Sequence, residues 1–115
     1  MMEKINPVSD NAKVVLSLIQ AINEEDFDAA QRLANDNMTF EGVLGKREGA
    51  AAYFDDMRKM KLKYDVQKVF ADQEDVCLFY DLTMSGKNVF GCAWYHLDGG
   101  KVSSLKVIFD PRPFL

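Results

Sequence analysis

The chain has little of what most chemistries require. Among its 115 residues there are one histidine, two cysteines, three prolines and one tryptophan. A single histidine excludes a His-rich metal site, and neither HExxH nor CxxC occurs, so no metal is expected. Cys77 and Cys92 are too few for a disulfide scaffold. The phosphate-cradling GxGxxG and GxxxxGK[ST] patterns and the hydrolase GxSxG are missing, so no nucleotide cofactor and no serine nucleophile are expected. The longest apolar stretch, Val14 to Ile22, is broken by Ser17 and Gln20 and is too short to span a bilayer. Met1 to Pro7 lacks the apolar segment of a secretory signal, which makes the cytoplasm the expected compartment. A net charge of −4 argues against nucleic acid or an anionic membrane surface as partner.

What remains is one globular domain, 1–115, rich in aromatics: eight Phe, four Tyr and one Trp. Val15, Leu18, Ile19 and Ile22 follow helical spacing, with Ser9 or Asp10 as N-cap. A second helix begins at Asp26, and Asn35-Asp36-Asn37 is read as its stop. Met38 to Val43 reads as a short strand ended by Gly45, and a third helix covers Glu48 to Met60. Its basic end, Arg58, Lys59 and Lys61, is read as helix-end electrostatics rather than a phosphate site. From Lys63 the period changes to two. Four antiparallel strands follow, turning at Asp72–Asp75, Ser85–Asn88 and Asp98–Gly100. Helices on one side of a curved sheet make an α+β domain.

Centring the middle hairpin on Gly86-Lys87 places Asp81 opposite Cys92 and Phe79 opposite Trp94. One face then carries Cys77, Phe79, Asp81 and Thr83 with Phe90, Cys92, Trp94 and His96. The other carries Leu78, Tyr80, Leu82 and Met84 with Val89, Gly91, Ala93, Tyr95 and Leu97. Neither face is polar. Either one covers the helices and the other meets a partner, most simply in a two-fold homodimer, or the sheet curls enough to bury parts of both. This register separates the two cysteines by roughly 13 Å at 3.3 Å per residue, beyond disulfide reach, so both read as small apolar fillers.

Two segments resemble a known family. Leu33-Ala34-Asn35-Asp36-Asn37-Met38-Thr39-Phe40-Glu41-Gly42 leads into Gly45-Lys46-Arg47-Glu48-Gly49-Ala50-Ala51-Ala52-Tyr53-Phe54. This resembles the strand-then-helix junction of NTF2-like proteins, particularly the SnoaL-like branch. Asp98-Gly99-Gly100-Lys101-Val102-Ser103-Ser104-Leu105 with Val107-Ile108-Phe109-Asp110 is similar to their last hairpin. The resemblance runs from Val8 to Asp110. It implies a cystatin-like, cone-shaped half-barrel in which three N-terminal helices pack in a curved, mostly antiparallel sheet around an apolar cavity. It also implies dimerisation through the outer sheet face, which makes Tyr80 and Tyr95 dimer-face residues.

Placed on the ketosteroid isomerases of this fold, the tyrosine position falls on Leu18, the base on Gly42 and the second acid on Cys92. None of these serves that proton chemistry. The same placement lines the cavity with Leu18, Phe40, Gly42, Phe54, Phe79 and Asp81. Cys92, Trp94, His96, Leu105, Val107 and Phe109 complete it. Tyr53 and Tyr64 are within reach of it. Asp81, His96 and Asp110 are the candidate acid/base residues, although Asp110 points away from the cavity and reads as part of a stiff arm with Arg112. The expectation is a protein that binds a small, largely apolar molecule and uses no cofactor. A cyclase, isomerase or hydratase using an aspartate, and a protein-interaction module without ligand, are the alternatives.

Overall fold

The computed structural model describes residues 9–115, so the reading of Met1 to Pro7 and the first residue of the resemblance, Val8, lie outside the described residues. Helix α1 (Asp10–Asn23) starts at Ser9, whose side chain accepts from the Ala12 amide at 2.9 Å, and it buries Val15, Leu18, Ile19 and Ile22. Helix α2 (Phe27–Arg32) is capped by Asp26 in the same way. Strands β1 (Ala34–Gly42) and β2 (Gly45–Glu48) form a hairpin, and α3 (Ala50–Met60) follows. The meander is β3 (Lys63–Asp72), β4 (Asp75–Met84), β5 (Lys87–Asp98) and β6 (Lys101–Phe109).

The sheet order is β2-β1-β6-β5-β4-β3, with β1 parallel to β6 and every other pair antiparallel. The sheet is curved and does not close. A bulge between Val66 and Lys68 bends the edge strand β3. Among the described residues no helix is long and apolar enough to cross a membrane.

Three readings of local structure are corrected. Asn35-Asp36-Asn37 does not stop α2; that helix ends at Arg32, and the three residues lie inside β1. The strand pairs with β6 on either side of them, at Ala34 and from Thr39, and its register shifts in between. The Leu33 carbonyl accepts from the Val102 amide at 3.0 Å, and the Asn35 side chain donates to the Asp98 carbonyl at 3.2 Å, which hold this irregular stretch against the last hairpin. Strand β2 was hidden because all four of its residues are exposed and carry no apolar pattern. The middle hairpin turns on Ser85-Gly86, both with positive φ (54° and 76°), so Met84 pairs with Lys87. The primed turn that suits a twisted hairpin requires that conformation at both central residues.

The new register makes Cys77 and Cys92 diagonal neighbours with sulfurs 3.5 Å apart, not roughly 13 Å as the alternative register gives at 3.3 Å per residue. They are free thiols, and burial together with the Cys92 contact pushes the Cys77 thiol up to about 11.

The face assignment is also corrected. Val76, Leu78, Tyr80 and Leu82 pack inward with Val89, Gly91, Ala93, Tyr95 and Leu97. Phe79, Asp81, Cys92, Trp94 and His96 therefore lie on the outer face, and Tyr80 and Tyr95 belong to the interior. The inward row carries no carboxylate, whereas the outward row carries Asp75 and Asp81, and burying an unpaired charge is costly. Small residues fit the same choice: a Cβ at Gly91 would approach the Tyr80 ring to 3.1 Å.

Candidate functional site

Between α3, the β1–β2 hairpin and the inner face of the sheet lies a cavity of about 360 Å³. Both edge strands contribute to it, β2 through Arg47 and β3 through Tyr64, and a flat sheet would not bring them together. The exposed residues Val43, Leu44, Lys46, Arg47 and Met60 make the rim. The buried residues Tyr53, Met57, Leu62, Tyr80 and Leu82 make the inner end. Phe40, Gly42, Val107 and Phe109 complete the side nearest β1 and β6.

The wall is tied down from several directions. Gly49, at φ 93° and ψ 137°, caps α3 and donates its amide to the Met38 carbonyl at 2.7 Å, anchoring α3 to β1. Tyr53 then packs on Phe40 with ring centroids 5.1 Å apart. The Asn23 side chain grips the Tyr64 backbone twice, accepting from its amide at 2.8 Å and donating to its carbonyl at 2.9 Å. Tyr64 in turn packs edge-on against Tyr80, at 4.9 Å between centroids. At the rim, Arg47 binds Asp56 through both oxygens, at 2.6 and 3.3 Å, linking β2 to α3. The same ion pair raises the Arg47 pKa.

Burial raises the phenol pKa of Tyr53, Tyr64, Tyr80 and Tyr95, with smaller contributions from one another for all but Tyr64, whose contact with Tyr53 acts the other way. The Tyr80 hydroxyl is buried without a hydrogen-bond partner among the described residues. A buried hydroxyl left unpaired costs about 1–3 kcal/mol, so it calls for an explanation.

The expected site residues are dispersed. Leu18, Phe54 and Leu105 are buried in the core and do not line the cavity. Phe79, Cys92 and Trp94 stand on the outer face, as do the acid/base candidates Asp81 and His96. The Gln67 side chain donates to Asp81 at 3.2 Å. The Asp75 carboxylate takes bonds from Trp94 at 2.8 Å and His96 at 2.9 Å, and these hold its pKa below the usual range. Asp110 is exposed and bonded to Arg112, which lowers its pKa. The three candidates therefore neither meet nor enter the cavity. Phe40, Gly42, Val107 and Phe109 of the expected lining do stand on the cavity wall, as do Tyr53 and Tyr64, which the sequence places within reach of it. Tyr80 was the missed residue, and its signal was the uncharged alternation through Tyr80 and Tyr95. The basic residues at the C-terminal end of α3 are paired with carboxylates: Arg58 with Asp28, Lys59 with Asp55, and Lys61 with Glu25.

Residues 15–105 match the SnoaL-like domain family. An NTF2-like protein of unknown function from Cytophaga hutchinsonii is 48% identical, over 90% of this chain and 93% of its own, with a TM-score of 0.89. An LEH-like epoxide hydrolase of M. tuberculosis is similar at 20% identity, over 90% and 84% of the two chains, with a TM-score of 0.78. SalBIII, an epoxide hydrolase/cyclase-like enzyme of pyran ring formation in the polyether salinomycin, is similar at 21% identity, over 87% and 90%, with a TM-score of 0.77. The last two share the fold. No curated protein matches.

Proposed function

The chain belongs to the SnoaL-like domain family, and from that footing we propose that it binds a small, largely apolar molecule in the cavity beside α3. The observation that carries this reading is the cavity itself. It has about 360 Å³ of space, mainly apolar walls and one unpartnered hydroxyl on the lining residue Tyr80. That is the usual composition of a ligand pocket. Binding is favoured over aspartate catalysis because Asp81 and Asp110 lie elsewhere, and Asp56, at the rim, is held by Arg47.

The test is titration with the neutral fluorophore N-phenyl-1-naphthylamine. Saturable one-to-one binding is expected, with at least a tenfold loss in a Val107→Trp variant that fills the cavity and keeps the native circular dichroism. Leu82→Phe is a milder filling variant should Trp disturb folding. No binding to the wild type, or equal binding to the filled variants, would sink the proposal.

The outer face supports a second element of the proposal, a homodimer. Phe70 on β3, Phe90 and Trp94 on β5 and Ile108 on β6 are 58, 58, 50 and 67% exposed, with Phe79 of β4 packed between Phe70 and Phe90. Fully covering one such side chain contributes about 1.5–3 kcal/mol, and contiguous apolar patches of this kind mark interaction surfaces. A second copy across a two-fold axis covers both patches at once.

A further inference from the structure

The inner end of the cavity has a polarity that restricts what fits there. Tyr80 is only 1% exposed, its side chain lines the cavity, and its hydroxyl has no partner among the described residues. Tyr53 lines the same end, half-buried Tyr64 packs on Tyr80 beside it, and the other residues there, Met57, Leu62 and Leu82, are apolar. Lys46 and Arg47 stand at the rim, Arg47 already bound to Asp56. Resting on the binding reading above, we infer that the cavity takes a neutral, largely apolar molecule carrying one hydrogen-bond-acceptor oxygen, a ketone, ester or ether, which receives a hydrogen bond from Tyr80.

Each part of that description has a physical source. Burial keeps the phenol protonated, so its strong interaction is as a donor; its oxygen lone pair is delocalised into the ring and accepts weakly. A carboxylate or phosphate carried to this depth would lose its hydration and meet no cation among the residues of the inner end. An ammonium would meet no carboxylate there. Size is bounded as well: at the packing density of protein interiors, 360 Å³ holds roughly fifteen to twenty non-hydrogen atoms. The hydroxyl oxygen is covered by its neighbours, and the ligand reaches it by displacing flexible wall atoms. The lining includes two unbranched, adaptable side chains, Met57 and Met84.

The experiment compares three probes of one shape by isothermal titration: 2-acetonaphthone, its isostere 2-isopropenylnaphthalene with CH2 in place of the oxygen, and 2-naphthoate. The wild type is expected to bind the ketone about tenfold more tightly than the alkene, and the carboxylate most weakly. Tyr80→Phe should bring the ketone down to the alkene while leaving the alkene within about twofold. Tyr95→Phe, outside the cavity lining, should retain the preference, and cooperative melting of both variants, with Tyr80→Phe no lower than the wild type, shows that they fold. Equal wild-type affinity for ketone and alkene, as a trapped water satisfying Tyr80 would give, overturns the inference and leaves the binding reading intact. A preference that survives Tyr80→Phe, or tightest binding of the carboxylate, also overturns it. If none of the probes and no N-phenyl-1-naphthylamine binds, both readings fall.

Discussion

At the scale of single residues, the four tyrosines are the distinctive feature, because every one of them has its phenol pKa above the ordinary value of 10.0 in the folded state. The unfolded chain releases those protons first as pH rises past about 10, so their contribution to stability is complete below that point and is lost above it. Ultraviolet difference absorbance should therefore show no phenol titrating normally in the native protein, and tyrosinate should appear together with loss of circular dichroism. A phenol that ionises near its ordinary value while the fold persists would show that the interior is wet. The aromatic content of the sequence announces this interior, but not which aromatics form it. Phe79, Trp94 and Phe90 are as apolar as Tyr80 and Tyr95, and one parity separates the two sets. The deciding information was the charge on Asp75 and Asp81, which share the outward row with Phe79 and cannot cheaply be buried.

At the scale of elements, the junction between β2 and α3 decides where the cavity wall stands. Gly49 occupies a backbone conformation that other residues adopt at a cost of about 1–3 kcal/mol, and an added Cβ would meet only the Asp36 carbonyl, at 3.9 Å. Gly49→Ala is thus expected to lower urea stability by about that amount through backbone strain alone, with an unchanged denaturant slope. Because α3 carries Tyr53 and Met57, affinity for N-phenyl-1-naphthylamine should fall as well. A neutral substitution would show that the helix entry is not under this constraint. Helix α1 and the meander were legible from sequence, since apolar spacing and glycine-bearing turns report on local structure directly. The parallel pairing of β1 with β6 was not. It joins residues far apart in the chain, and its register shifts between Ala34 and Thr39, across the Asn35 to Asn37 run whose turn preference hides the strand.

For the whole molecule, the apolar outer face is the property with the largest consequence. Sedimentation velocity should find a dimer whose dissociation follows dilution. Phe90→Lys should give a monomer with unchanged N-phenyl-1-naphthylamine binding, because Phe90 lies on the face opposite the cavity. A monomeric wild type at its highest soluble concentration would remove the dimer. The sequence shows both apolar faces, but a single chain does not say what covers the second one. Its edges are a different matter. Strand β2 is four residues long, and β3 is bent by its bulge and carries exposed Lys63 and Lys68. Short, kinked and lysine-bearing borders give an incoming strand no straight ladder to continue. Association through the face is self-limiting, since two patches cover each other and are used up. Growth along the border would have no such end, and the bulge that bends β3 is a barrier to fibre formation.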